Sequence, residues 1–331
     1  MLTAQTALTL NSPITVGSLE LRNRLILAPM QQYQGSPEGY ATEHHTQHYS
    51  RRAGELGMMI VESTAVSDNG RLVPNDIGIF TDRHAEALKR VTDAVHAAHT
   101  PIFVQLSHGG RKSAPEVTRK LVAPSAMAYD DTYGVPSELT AAEIEALLED
   151  YRLAARRSIA AGFDGIEVHA AHGFLIHQFL SPLSNRRTDA YGGSREGRSR
   201  FLRDTLAAIR SETGRGYPLI VRVSSTDYTE GGLTPQEVAL MLKPLETEGL
   251  LDGVDVSSGG LLPVQPPDVH PGYQVPDAAA IKQHLHVPVI AVGKIYTRPF
   301  ADRIIADGLA DAVAVGRPFL DDPDFAQTLI G

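Results

Sequence analysis

Apolar runs rich in Val and Ile punctuate the chain, separated by segments whose apolar residues fall at helical spacing. In order they are RLILAPM (24–30), MMIVEST (58–64), PIFVQLS (101–107), GIEVHAA (165–171), LIVRVSS (219–225), GVDVSSG (253–259), VPVIAVG (287–293) and DAVAVGR (311–317). Continuous apolar runs of this length predict parallel strands covered on one face and packed inside on the other. Residues 81–99, 140–162, 194–214 and 234–249 predict helices. The second of these opens with Thr140 and Glu143, a capping box, and closes on Gly162. The fourth carries Pro235 at its first position and Gly249 at its end. A strand followed by a helix, repeated eight times, predicts one α/β domain over 1–331, a closed (β/α)8 TIM barrel. An open doubly wound sheet is the alternative, but GxGxxG and GxxxxGK[ST] are both absent. The Pro- and Gly-bearing stretch 112–139 reads as an insertion between strand three and its helix, and 172–194 as a long loop after strand four.

Composition narrows the classes. A chain of 331 residues suits a barrel with insertions. A net charge of -9 makes nucleic acid an unfavourable partner. The chain has no cysteine, which removes disulfides, thiolate metal sites, iron–sulfur clusters and thiol nucleophiles. No apolar run approaches the roughly 18 residues needed to span a membrane, and the N-terminal stretch has no secretory pattern. A cytoplasmic enzyme is the expectation.

Barrel chemistry sits at the carboxyl ends of the strands. Strands seven and eight end in Gly293-Lys294 and Gly316-Arg317. A glycine lets backbone N–H groups approach an oxyanion and the neighbouring cation adds charge, so these pairs point to a phosphorylated ligand. The plainer reading is that the glycines turn the chain and the cations are solvated. Arg222 lies within strand five between two valines, where a cation needs a partner: an anionic ligand, or a structural pairing with Glu167 or Asp255. His44, His45 and His48 suit a helix-surface or capping role better than a metal site. His169 and His172 end strand four and suit donors to a carbonyl oxygen, with no third metal ligand evident. A phosphosugar isomerase or aldolase would want a strand-end base, and Glu62 is the candidate carboxylate.

With these residues placed, LRNRLILAPM, VQLSHGGRK, GFDGIEVHAAHGFLIHQFLSPLSNRRTDAYGGS, VRVS and AVGRPF make the chain similar to the Old Yellow Enzyme family of FMN-dependent ene-reductases, nearest its bacterial thermophilic-like branch. The resemblance covers nearly the whole chain. It implies FMN as cofactor and NADPH or NADH as reductant, with an α,β-unsaturated carbonyl compound as substrate. Pro29, Met30, Gln31 and Ser63 would line the flavin, and Gln105 would bond its pyrimidine ring. Arg222 would sit where the reduced ring gathers negative charge. Gly293, Lys294, Gly316 and Arg317 would hold the phosphate. His169 and His172 would be the catalytic pair holding the substrate carbonyl, with Tyr33, Lys112 and Phe174 around the substrate. Two residues depart from the family pattern: Phe174 stands where a proton-donating Tyr is usual, and Gln31 where the branch has a Cys. A dehydrogenase, an oxidase or a low-activity FMN-binding sensor is the alternative these departures leave open. The branch also offers an Arg to a neighbouring subunit beyond the point where this chain ends, so a homo-oligomer is left open and that contact is not assumed.

Overall fold

The computed structural model describes residues 8–331; part of the N-terminal stretch discussed above, residues 1–7, lies outside the described residues. Eight parallel strands close on themselves: β1 (Leu25–Leu27), β2 (Met58–Ala65), β3 (Ile102–Ser107), β4 (Gly165–Ala170), β5 (Leu219–Ser224), β6 (Gly253–Ser257), β7 (Val289–Val292) and β8 (Ala312–Val315). Each pairs with the next, and β8 returns to β1 through Val313 to Leu25 and Val315 to Leu27. The intervening helices are α1 (Glu43–Ser50), α2 (Asp82–His96), α3 (Ala141–Ala160), α4 (Leu175–Leu180), α5 (Arg195–Thr213), α6 (Pro235–Thr247), α7 (Val275–Lys282) and α8 (Arg298–Ala306), followed by the short α9 (Pro318–Asp321) and α10 (Ala326–Ile330). The predicted barrel is the observed one. No helix among the described residues is long and apolar enough to cross a membrane.

Two apolar clusters divide the interior. The larger lies between strands and helices. The smaller fills the barrel and includes Ile26, Ile60, Phe103, Ile220, Ile290 and Ala314. It is joined from below by Val16 and Leu21 of an antiparallel hairpin, Ile14–Val16 with Leu19–Leu21. Gly165, level with Phe103 on the neighbouring strand, leaves the room its ring fills; a Cβ there would collide with that ring. Side chains alternate across a strand, so two residues beyond the apolar layer the inward positions become Gln105 and Arg222, with Glu167 and Asp255 beside them in register. The barrel therefore changes from oily to polar toward the carboxyl ends of its strands.

Strand β2 breaks this alternation. A bulge lies between Val61 and Ser63, so Ser63 rather than Glu62 pairs beside Gln105. One extra residue reverses the parity of everything after it. Glu62, expected as a strand-end carboxylate, instead faces α1, 3.2 Å from the Nε2 of His45.

Helix ends follow the local sequence. Thr140 accepts from the Glu143 N–H and Glu143 returns to the Thr140 backbone. Gly162 and Gly249, just past α3 and α6, take φ of +84° and +69°. Segment 112–139 carries the small strand pair Val122–Ala123 with Ser137–Glu138. Segment 172–194 is not only loop: α4 lies within it with all six residues buried. Six residues are too few to show helical periodicity when every face is covered. His45 and His48 are also buried rather than on the helix surface, and His45 completes the cap of α1 by accepting from the Thr42 N–H.

Candidate active site

Two cavities open side by side at the carboxyl ends of the strands, and Arg222 lines both. The first encloses about 320 Å³. Pro29, Gln31, Ser63, Gln105 and Arg222 line it from the strand ends. His169 lines it from the end of β4, and Tyr33, Lys112, His172 and Phe174 from the loops. The second, about 150 Å³, takes Met30 and the glycine–cation pairs Gly293-Lys294 and Gly316-Arg317. Every site residue expected from the sequence reaches one of these two spaces.

The barrel supplies the electrostatics of the first cavity. Arg222 Nε lies 3.0 Å from Asp255 Oδ2, an ion pair whose alignment falls short of a hydrogen bond. Gln105 Nε2 donates to Glu167 Oε1 at 2.7 Å. Two buried acids thus share one guanidinium. Burial, then Asp255, pushes the Glu167 carboxyl well above the usual carboxylate range, and burial raises Asp255 too, against the pull of Arg222. The sequence offered Arg222 either an anionic ligand or a structural acid; it has the acid, and still lines both cavities.

The histidine pair is arranged by backbone. His169 Nδ1 accepts from the Ala171 N–H at 3.2 Å, and His169 Nε2 lies 3.2 Å from His172 Nδ1. His172 Nε2 is 2.7 Å from Ser257 Oγ. Accepting at Nδ1 assigns the His169 proton to Nε2, and the chain of contacts then puts the His172 proton on Nε2. Burial, then Arg222, depresses both imidazoles well below their ordinary range, so both are neutral. His172 adopts φ +57° at a point where the loops after β4 and β6 meet backbone to backbone. A Cβ on Gly173 would strike the Gly260 carbonyl, and one on Gly260 would strike the His172 backbone. Beside the pair, Phe174 packs edge-on against His169 with ring centroids 4.8 Å apart. Lys112 Nζ donates to the His172 and Gly260 carbonyls at 2.9 and 3.1 Å.

The residues fit FMN on two counts. Ser63 Oγ and Gln31 Nε2 are buried without a partner at the first cavity, where a planar ring edge carrying donors and acceptors would satisfy them. In the second, Gly316 approaches Met30 so closely that a Cβ would lie 2.5 Å from its sulfur, and Gly293 takes φ +125°. That bare backbone, with Lys294 and Arg317 at the rim, suits a phosphate.

Sequence reasoning missed several lining residues. Tyr133 comes from the insertion, whose irregular course gives no periodic signal. Tyr273 and Gln274 precede α7 in a Pro-rich loop. Gln274 is held by donating to the Val292 carbonyl at 3.0 Å and accepting from Ser258 Oγ.

A closed barrel with a ring-sized cavity beside a glycine- and cation-lined pocket suited to a phosphate, and a buried guanidinium lining both, fits a flavin-binding oxidoreductase barrel. The model of the NADH:flavin oxidoreductase / NADH oxidase family matches residues 9–330, and the chain belongs to that family. It is an FMN-dependent NAD(P)H oxidoreductase of Old Yellow Enzyme type. It is 42% identical over 313 residues to an NADPH dehydrogenase of Clostridium acetobutylicum, covering 94% of this chain and 91% of that protein. An Old Yellow Enzyme homologue from Zymomonas mobilis superposes with a TM-score of 0.83 at 31% identity, covering 97% of this chain and 92% of that one. The chain also superposes on 2-naphthoyl-CoA reductase with a TM-score of 0.91 at 28% identity, over 96% of its own length and about half, 51%, of that longer chain. The isomerase or aldolase alternative ends here, and the bulge in β2 had already turned its candidate base, Glu62, away from the site.

Proposed function

We propose that this protein reduces the activated C=C bond of α,β-unsaturated carbonyl compounds. FMN, when bound, supplies the hydride chemistry that links NAD(P)H oxidation to alkene reduction. The observation that carries the reading is the neutral His169–His172 pair at the edge of the ring-sized cavity. Neutral imidazoles donate to a carbonyl oxygen without placing a proton on it beforehand, and their donation strengthens as negative charge develops there. Arg222 lies beneath the same cavity and favours electron-rich states of a ring bound over it. Gln105 and Ser63 offer polar contacts along that ring. Pro29, Met30 and Gln31 wall it, and Gly293, Lys294, Gly316 and Arg317 bind its phosphate. Tyr33, Lys112 and Phe174 shape the space above for the substrate.

Phe174 favours a second reading, a dehydrogenase or oxidase, because it has no proton to give. Anaerobic visible spectroscopy separates the two. Reduction of the FMN-loaded protein with NADPH should bleach the flavin band, and 2-cyclohexenone should restore it. Restoration by oxygen alone would replace the alkene-reductase reading with the second.

A further inference from the structure

Hydride addition at the β-carbon of an enone leaves an enolate, so a proton must reach the α-carbon. Besides Arg222, whose guanidinium holds its protons, five residues lining the described cavity carry titratable side chains: Tyr33, Lys112, Tyr133, His169 and His172. The imidazole N–H groups of His169 and His172 are assigned above to the carbonyl oxygen of the substrate, and as neutral, buried imidazoles they are poor acids toward its carbon. Tyr33 is 57% exposed at the outer rim. Burial, then Asp130, pushes the Tyr133 phenol above its ordinary value, making it a poorer acid.

Lys112 differs from all of these. Its ammonium is anchored by two carbonyls, His172 and Gly260, which leaves one of its three N–H bonds uncommitted. Nζ lies 4.5 Å from the Tyr129 ring centre and 5.3 Å from that of Phe174. The Phe174 ring, which has no acid of its own, therefore has a fixed cation beside it in the same cavity.

We propose that Lys112 is the acid of this site, giving the α-carbon its proton during alkene reduction. The inference rests on the ene-reductase reading above. The balance is complete. NAD(P)H is oxidised and supplies the hydride that forms the β-carbon C–H bond. The α-carbon C–H bond forms as a Lys112 N–H bond breaks, and the neutral amine recovers its proton from water. The surroundings tune Lys112 for this. Burial, then the neighbouring Arg111, lowers its ammonium to about 8, with Asp130 pulling the other way. The remaining titratable groups around it are Tyr129 and Tyr133 of the insertion, His169 of β4, His172 of the loop that follows, Arg222 of β5 and Tyr33 across the cavity.

The test uses the FMN-loaded protein in two experiments. In the first, NMR of isotopically labelled lysine side chains should show one ammonium titrating near pH 8 that vanishes in Lys112→Met. No lysine titrating below pH 10 would overturn the proposal. In the second, protein reduced anaerobically by NADPH is mixed with 2-cyclohexenone or with a benzoquinone, which takes its protons on oxygen and needs no carbon acid. The acid must be protonated to act, so the enone rate constant should fall about tenfold per pH unit above roughly pH 8. Lys112→Met should cost the enone on the order of 100-fold more than it costs the quinone, and lose the pH break. Lys112→Arg keeps the charge, but a guanidinium is an acid only above about 12, so KM should recover while the rate does not. It carries the same comparison should Lys112→Met fail to hold flavin. Equal losses with both acceptors and a flat profile would assign the proton to water. Oxidation by quinone but never by enone in the wild-type protein would overturn the ene-reductase reading and this one with it.

Discussion

Arg317 shows how a single side chain at a strand end acquires meaning from the backbone beside it. The sequence gives a glycine followed by a cation, a pattern that turns elsewhere also produce. The structure adds that Gly316 presses on Met30 and that both line the smaller cavity with Gly293 and Lys294. A phosphate there would meet bare N–H groups and positive charge together. Arg317→Ala should therefore weaken FMN about tenfold, the worth of one charge-assisted contact, while riboflavin, which has no phosphate, loses little. Fluorescence titration with both ligands checks this, and equal losses would place the phosphate elsewhere. Arg222 teaches a related lesson. Its burial announced a partner, but only the register Arg222 to Asp255 shows that the partner is internal.

At the scale of elements, the bulge in β2 and the loop after β1 act together. Turned outward, Glu62 accepts from the Gln32 backbone N–H at 2.8 Å and faces His45 Nε2, while its own N–H donates to Tyr49 Oη. Glu62 thereby ties α1 to the loop that carries Pro29 to Tyr33 over both cavities. Glu62→Ala removes that tie and leaves buried donors unsatisfied, at a cost of about 1–3 kcal/mol. Urea unfolding should register it. FMN affinity should fall several-fold although Glu62 lies outside both cavities, and unchanged affinity would mean the loop holds itself. The bulge was invisible in MMIVEST because an inserted residue alters parity without altering composition. The eight strands, by contrast, were legible: each is a short, β-branched run bounded by polar segments. The helix α4 was hidden because it is short and buried on every side.

For the whole molecule, the polar layer across the barrel is a stability liability coupled to pH. Glu167 is pushed up to about 8, far above a free glutamate. Between the ordinary carboxylate range and about pH 8 the unfolded chain has released this proton and the folded chain has kept it, so stability falls as pH rises through that window and is unaffected below it. Glu167→Gln keeps an acceptor for Gln105 and removes the titration. Thermal midpoints measured at pH 5 and pH 8 should show the wild type losing ground to this variant at the higher pH; parallel curves would place the cluster's proton elsewhere. What the sequence determined by itself was the barrel and the inventory of strand-end residues, because hydrophobic periodicity and turn chemistry are local properties that any strand–helix repeat must display. The tertiary structure alone decided which of those residues share a space: the closure that brings Arg222 to both cavities, the bulge that exchanges Ser63 for Glu62, and the meeting of Gly173 with Gly260 that sets His172 and Lys112 side by side. These depend on contacts between residues tens to hundreds of positions apart, and no local pattern encodes such distances.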